Sequence, residues 1–552
     1  MRLTERLTAD VLVIGAGGAG LRAALAAAEA GASVLLASKG PLARSGITLT
    51  AAGGMQAVLH ADDSPELYCE DIVRCGYGLA DGDLVRTLAA DAADRVRETE
   101  RYGARLIRDA AGNYALGQFP GMARPRNVFV KGGGIGLAAA LAAACRGHEN
   151  IRVVEDFFVT GLVAGGGAVA GATGLDLKSG TPTLLAAGAT VVATGGCQWL
   201  WATNDCPAGT TGDGLVYAYR AGAELVDMEM VLFYPSVIVW PPSLAGAFVH
   251  YEFLAPDVLD GNVYDSAGEP VLPKPLPRRD EAMRFLAQAI REGRGGPHGG
   301  LFWYVGDSPK AAANAARLNT LQYDYLRAHG VEPTTDRIEV APGAHYLLGG
   351  VHVDVDGRTS VPGLYAAPEC AGNFDGANRL AGNGLTATQV FGSRAGLAAR
   401  RWALAGGVRP DGAAVRAEFD RVAARLGGKS TVDVAALRAK LRTAVQEGAG
   451  VGRDAAGLGR LVQVAADVRA ELTAARVADT GVFNQQLVEL LELDAMAEVA
   501  ALVAGCALTR TETRGHHIRE DFPARDDTNW LRHTTARLTA DGPRFGSKPV
   551  RP

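Results

Sequence analysis

A glycine-rich turn near the start of the chain limits its possible folds more than any other sequence feature. The stretch ADVLVIGAGGAGLRAALAAAEAGASVLLASKG, at 9–40, predicts a strand, a turn, a helix and a second strand at 33–37. In the spacing Gly15-x-Gly17-x-x-Gly20, the first glycine permits the tight turn and the second admits a pyrophosphate to the backbone. The third lets the helix pack closely on the strand. The sequence therefore predicts a parallel sheet covered on both faces, with a dinucleotide at the helix N-terminus.

The residues after the second strand argue against an ordinary NAD dehydrogenase. Those enzymes place an acidic residue about twenty positions after the glycines, where it binds the ribose. Here Ser38-Lys39 stands at that position. The segment that follows, RSGITLTAAGGM at 44–55, carries no charge after its arginine.

Later strand patterns indicate that the first sheet is assembled from distant parts of the chain. Apolar runs of the same type recur at 189–193 and 364–367. A single sheet built from them requires an insertion, and 229–340, rich in Pro, Tyr, Trp and charge, is the candidate. The sequence predicts an α/β fold with these parts: a Rossmann-like nucleotide-binding domain (1–228 and 341–406), an inserted α+β capping domain (229–340), a helical bundle (407–508) and a C-terminal arm (509–552).

Two further patterns distinguish the C-terminal third. Apolar residues at spacings of three and four predict helices at 411–426, 433–447, 455–478 and 485–506. The last 45 or so residues are polar and charged. We expect them to form an arm that lies over the rest of the protein.

Composition excludes several classes of function. The formal net charge over 552 residues is −5, and no run of Lys or Arg could neutralise a row of phosphates, so we expect no nucleic acid partner. No window approaches the roughly 18–20 apolar residues that span a bilayer, and the N-terminus lacks a signal-peptide pattern. We therefore expect a cytoplasmic protein. Its seven scattered cysteines predict neither a disulfide framework nor an iron–sulfur cluster within this chain, and we predict no metal site.

Eight motifs in a fixed order connect the chain with a known family. They are the glycine turn, SKGPLARSGITLTAAGGM (38–55), VVATGG (191–196), TGDG (211–214), AHYLLGGV (344–351), GLYAAPECAG (363–372), GANRLAGNGLTATQVFG (376–392) and RTETRGHHIREDFPARDDTNW (510–530). In this order the chain resembles the flavoprotein subunits of succinate dehydrogenase and fumarate reductase. L-Aspartate oxidase is a close cousin and adenylylsulfate reductase a more distant one. The resemblance covers nearly the whole chain.

The resemblance implies an FAD-binding domain. The glycines would hold the pyrophosphate, Glu369 would accept from a ribose hydroxyl, and the small segment 44–54 would lie against the isoalloxazine. The implied cofactor residues are Gly15, Gly17, Gly18, Ala19, Gly20, Ser38, Lys39, Ser45, Gly46, Ile47, Thr48, Ala52, Gly53, Gly54, Thr194, Gly195, Asp213, Glu369, Asn383, Gly384 and Leu385.

The resemblance also implies a site for a small carboxylate substrate. His345 and Arg379 match the pair that holds one carboxylate, for which a guanidinium fork and an imidazole are well suited. Arg279, in LPRRDEAMR, matches the arginine that shuttles the proton. Because the ordinary pKa of arginine is above 12, that role needs a dry pocket and a relay, for which Glu252 is the remaining acid.

Departures from the family pattern in two motifs concern the second carboxylate. Tyr234 and Tyr251 stand where the family has a histidine and a threonine, and Ala255 replaces a relay arginine. Phenols donate hydrogen bonds, but they fill more space and bring no positive charge. The second carboxylate is accordingly expected to be absent, replaced by a neutral or aromatic group, or bound differently.

A further departure concerns the flavin itself. Larger respiratory members attach FAD through a histidine, and alignment on Gly53-Gly54 puts Ile47 at that position. Isoleucine cannot form the bond, so we expect a non-covalent FAD. Loss of the covalent link favours reduction of an alkene, or an oxidase-like reaction with oxygen.

Three functions remain open from the sequence. The first is hydride transfer between flavin N5 and a carbon adjacent to a carboxylate, with Arg279 as proton shuttle. The second is oxidation of an amino acid in the manner of L-aspartate oxidase. The third is electron transfer by a flavoprotein that depends on an iron–sulfur partner.

Overall fold

The computed structural model describes residues 3–256, 258–305, 321–332, 334–428 and 432–551. Its strands are β1 (Glu5–Ile14), β2 (Val34–Ala37), β3 (Gly54–Gln56), β4 (Leu116–Gly117), β5 (Asn127–Phe129), β6 (Ile151–Val154), β7 (Phe157–Gly165), β8 (Ala168–Asp176), β9 (Pro182–Val192), β10 (Leu225–Val226), β11 (Val231–Trp240), β12 (Asn262–Tyr264), β13 (Leu301–Tyr304), β14 (Ile338–Leu347), β15 (Gly350–Val351), β16 (Leu364–Ala366), β17 (Gly452–Arg453), β18 (Ile518–Arg519), β19 (Arg532–Thr539) and β20 (Gly542–Pro549). Its α-helices are α1 (Gly18–Glu29), α2 (Pro65–Cys75), α3 (Gly82–Arg101), α4 (Gly133–Gly147), α5 (Asp213–Arg220), α6 (Arg279–Arg291), α7 (Leu321–Ala328), α8 (Asn383–Leu404), α9 (Gly412–Ala423), α10 (Val434–Gly448), α11 (Ala455–Ala474), α12 (Gln485–Thr509) and α13 (Asp527–Trp530).

The central sheet combines strands from distant parts of the chain. Its order is β6-β2-β1-β9-β8-β7, and β16 also pairs with β9. The pairs β2–β6, β1–β2, β1–β9 and β16–β9 are parallel, whereas β7 and β8 form an antiparallel extension. The predicted strands at 189–193 and 364–367 therefore join the first βαβ unit in one sheet, and the α/β fold class is confirmed.

The glycine turn brings α1 directly against β1. Gly15 has φ +103°, a conformation that favours glycine. A Cβ on Gly20 would lie 1.8 Å from the carbonyl oxygen of Gly15, so any side chain there would push the helix away. The N-terminus of α1 thus stays at the carboxyl end of β1, which is where ligands bind in open α/β sheets.

The segment predicted as a capping domain contains a sheet with its own hydrophobic core. The sheet has the order β11-β14-β13-β12, and the strands β11 and β14 lead out of and back into the central part of the fold. The core includes Trp303, Leu286 and Val340, all buried. Residues 306–320 of this segment lie outside the described residues. The four predicted domain boundaries stay a prediction.

The helices predicted in the C-terminal third are present, at α9, α10, α11 and α12. The segment after them is largely buried at its start, over 510–519, whereas much of 520–551 is exposed. Arg510, Glu512 and Arg514 are fully buried, and β19 pairs with β10 in a four-stranded sheet. Burial of these charges is possible because they pair with one another.

No helix within the described ranges has the length and apolar character needed to cross a membrane.

Candidate functional site

A cavity of about 460 Å³ opens at the carboxyl ends of β1, β2 and β9 and reaches the inserted sheet. It is lined by every predicted cofactor residue except Gly20 and Asn383. Gly20 instead allows α1 to pack closely against the end of β1. Asn383 is buried behind the wall, where it donates to Asp375 and accepts from Tyr68 at 3.1 and 2.7 Å. Segments far apart in sequence therefore form one continuous site.

The glycine-turn end of the cavity leaves room for a ligand against the backbone. A Cβ on Gly17 would meet nothing closer than Thr48 Oγ1 at 3.6 Å, so it would project into the cavity. The Gly18 amide donates to Thr48 Oγ1 at 2.9 Å, which ties the 44–55 segment to the start of α1. This cradle of small residues at a helix N-terminus suits a pyrophosphate.

Lys39 forms a charged cluster beside this end. Its ammonium donates to Asp213 at 2.6 Å and to Glu492 of α12 at 2.8 Å. Burial opposes the charge, but the two carboxylates outweigh it and raise the pKa of Lys39 above its usual value. The other oxygen of Asp213, Oδ1, is buried without a hydrogen-bond partner among the described residues.

Polar groups in the middle of the cavity also fit a bound cofactor. Thr194 Oγ1 is buried and has no partner among the described residues. Glu369 accepts from the side chain of Gln198 and from the Leu347 amide. Burial raises the pKa of Glu369 to about 7. Unpaired acceptors such as Asp213 Oδ1 are the groups that the hydroxyls of a ribose would satisfy.

The segment 44–55 forms one wall of the cavity. Ile47 opens a short 3₁₀ turn, Ile47–Leu49, and faces Gly195, on which a Cβ would lie 3.6 Å from Ile47 Cδ1. The segment 38–54 contains no His, Cys or Tyr. It therefore offers small contacts and hydroxyls to a flat ring, but no side chain of the kind that forms a covalent flavin bond.

At the opposite end, His345 and Arg379 both line the cavity. His345 Nδ1 lies 2.6 Å from Asp205 Oδ2, which orients the ring and favours the proton on Nδ1. The Arg379 guanidinium lies 4.3 Å above the ring of Tyr346. Its Nε is buried without a hydrogen-bond partner, and no ion pair of this arginine occurs among the described residues. An unpaired guanidinium beside a held imidazole can bind a carboxylate.

Arg279, the first residue of α6, lines the same end and pairs with Glu252. Burial disfavours both charges, but each charge stabilises the other. Glu252 raises the pKa of Arg279, and Arg279 with His250 holds the pKa of Glu252 well below its usual value. The pair thus stays ionised and nearly neutral overall.

The two tyrosines predicted near the second carboxylate have different environments. The ring of Tyr234 lines the cavity, but its hydroxyl donates to Glu252 at 3.2 Å and accepts from the Tyr251 amide at 3.1 Å. Tyr251 and Glu252 are not among the lining residues, and the Tyr251 hydroxyl donates to the Pro277 carbonyl at 2.8 Å.

Several residues that line the cavity are not among the site residues predicted from the sequence. Phe248 and His250 face the cavity beside Tyr234, and Asp205 orients His345. The spacing of Phe248 and His250 could have predicted that they lie together, because alternate residues of an extended segment point to one side. Glu492, which contacts Lys39 but does not line the cavity, had no such sequence signal, since it is 453 positions from Lys39.

Among the described residues, no group of three or more His, Cys, Asp or Glu side chains could hold a metal ion.

Comparisons with known proteins agree with this geometry. A family model described as an FAD binding domain matches residues 10–385, and one described as the C-terminal part of fumarate reductase flavoproteins matches 438–552. A fumarate reductase (CoM/CoB) subunit of Methanothermobacter marburgensis is 34% identical over 94% of this chain and 95% of its own length. L-Aspartate oxidase of Streptomyces coelicolor is 32% identical over 97% of this chain and 92% of its own. A solved structure of E. coli quinol fumarate reductase FrdA aligns with a TM-score of 0.91 at 29% identity, covering 100% of this chain and 98% of that one.

The raised pKa of Glu369 predicts that the stability of the FAD-free protein depends on pH. Because the folded state favours the neutral carboxyl, the associated stability is present below about pH 4.5 and is lost as the pH rises through about 7. Glu369→Gln removes this pH dependence of the free energy of unfolding, which amounts to about 3 kcal/mol. Thermal unfolding between pH 4.5 and 8 should show the wild type losing stability relative to the variant. The exposed Glu447→Gln serves as the control and should follow the wild type; parallel curves for Glu369→Gln and wild type would contradict the assignment.

Proposed function

This chain belongs to the fumarate reductase flavoprotein family and is an FAD-dependent oxidoreductase of the fumarate reductase and succinate dehydrogenase type; we propose that it reduces or forms a carbon–carbon double bond in a small carboxylate. The observation that carries the proposal is the single cavity that leads from the glycine turn to Arg279, His345 and Arg379. One cavity with an end suited to a nucleotide and an end suited to a carboxylate supports direct contact between a cofactor and a substrate.

The residues of this chain fit FAD. The glycine turn would hold the pyrophosphate, and Asp213 and Glu369 would accept from hydroxyl groups. When bound, FAD supplies or accepts the hydride at N5 of its isoalloxazine. The segment 44–55 would exclude water from one side of the ring.

The proposed roles at the substrate end follow from charge. Arg379 and His345 bind and orient the carboxylate, because the guanidinium forms no direct ion pair among the described residues and its Nε is buried without a hydrogen-bond partner. Asp205 holds the imidazole for this task. Arg279 donates a proton to one carbon of the double bond, and Glu252, in direct contact with its Nε, returns the proton to it.

The electron partner and the location are also proposed. Several relatives are described as subunits, which supports an assembly with an iron–sulfur protein that exchanges electrons with this chain. Seven free thiols support a reducing compartment, the cytoplasm.

The reaction class is tested by anaerobic assay of the holoenzyme. Reduced methyl viologen should be oxidised when unsaturated carboxylates are added. Peroxide release from L-aspartate in air, without any alkene reduction, would instead establish an amino acid oxidase.

Arg279→Ala should lower turnover by about 10²–10⁴-fold while bound FAD is retained, because the proton donor is lost but the cofactor contacts remain. Arg278→Ala is the matched control: Arg278 contacts Asp280 and Tyr77 but does not line the cavity, so turnover should stay within a few-fold. Turnover and the ratio of flavin to protein are measured for both variants. Equal losses in the two would move the proton donor elsewhere.

We further propose that FAD is bound non-covalently, since Ile47 cannot form the link that the larger respiratory members of the family make through a histidine. Acid precipitation of the holoenzyme should release the yellow flavin into the supernatant. Flavin that stays with the protein pellet after washing would show a covalent bond at another residue.

A further inference from the structure

We propose that the substrate carries one carboxylate, bound by Arg379 and His345, and that its other end is an uncharged, flat group packed on the rings of Tyr234 and Phe248. The inference rests on the proposed function, whose reaction it keeps and whose substrate class it narrows.

Few charged side chains are available to a substrate at this end of the cavity. Two arginines line the substrate end, Arg279 and Arg379. The charge of Arg279 is neutralised by the adjacent Glu252 carboxylate. Arg379 has no ion pair among the described residues. Within the described part of the chain, Arg379 is thus the arginine of the substrate end that has no direct ion-pair partner, and Asp375 and Glu369 interact with it only at longer range. One such guanidinium matches one carboxylate.

The hydroxyl groups of Tyr234 and Tyr251 already donate to protein acceptors. Tyr234 donates to Glu252 and accepts from the Tyr251 amide, so it has no proton left for a substrate. Tyr251 donates its hydroxyl proton to the Pro277 carbonyl. A second substrate carboxylate would therefore find no free donor on either tyrosine.

The rings of Tyr234 and Phe248 form an aromatic surface at the substrate end. The ring centroids of Tyr234 and Phe248 are 5.0 Å apart at an interplanar angle of 62°. His345 lies 5.3 Å from Tyr234, and His250 lies 5.4 Å from Phe248. Phe248 and His250 are only half-buried and face the cavity. Such a cluster binds an aromatic or conjugated group by edge and face contacts.

The reaction balances with this substrate. The π bond of the alkene breaks and two C–H bonds form, one from the hydride of reduced FAD and one from the proton of Arg279. The alkene gains two electrons and FAD is oxidised. Glu252 reprotonates Arg279 with a proton from solvent, and reduced methyl viologen supplies the electrons in the assay.

The decisive experiment compares trans-cinnamate, crotonate and fumarate with the holoenzyme and reduced methyl viologen under anaerobic conditions. We expect kcat/KM for cinnamate to exceed that for fumarate at least tenfold. An equal or higher value for fumarate overturns the inference and leaves the proposed function standing. If no alkene is reduced, the proposed function fails as well.

Ligand binding to the oxidised holoenzyme tests the proposed contact with the rings of Tyr234 and Phe248 without turnover. Isothermal titration calorimetry should give a Kd for phenylacetate at least tenfold below that for malonate. Phe248→Ala should raise the Kd of phenylacetate about tenfold or more and change that of acetate little. Phe285→Ala, at an exposed position on α6, is the matched control and should change neither. Tighter binding of malonate, or an unchanged Kd for phenylacetate in Phe248→Ala, would overturn the inference.

Discussion

The contact between Gly20 of α1 and the carbonyl of Gly15 is the constraint on which the rest of the structure depends. A Cβ at that position would lie 1.8 Å from the carbonyl oxygen, which no helix could accommodate without moving. With glycine there, α1 begins directly at the end of β1. The backbone amides at the start of α1 then face the cavity rather than a side chain. Both the 44–55 segment and Lys39 are arranged around this opening.

A buried ionic network joins the C-terminal segment to the strand that carries Tyr234. Arg510 contacts Glu229 at 2.7 Å and Asp227 at 3.3 Å, just before β11 begins. His533 lies 2.5 Å from Asp227. These groups are all fully or almost fully buried, so the loss of one partner would leave a buried charge and cost about 3–5 kcal/mol. The C-terminal segment is thus part of the support of the substrate end.

The two ends of the cavity use charge in different ways. At the glycine turn, Lys39 is surrounded by two carboxylates, and one oxygen of Asp213 remains for a ligand. At the substrate end, Arg279 is paired with Glu252 and Arg379 is not paired within the described part of the chain. A paired arginine can exchange a proton with its partner, whereas an unpaired one attracts an anion. Two residues of the same type therefore suit different tasks.

The sequence by itself determined the α/β fold, and it predicted the residues of the cofactor end and three of the side chains that line the substrate end. Glycine spacing and apolar runs act locally, so they could be read directly, and ordered motifs located Arg279, His345 and Arg379. Only the tertiary structure decided which groups remain available to a ligand. It turned the hydroxyl of Tyr251 to Pro277, brought Phe248 to the cavity and placed Glu492 beside Lys39. Such contacts join residues that are distant in sequence or depend on side-chain direction, and packing of the whole chain sets them.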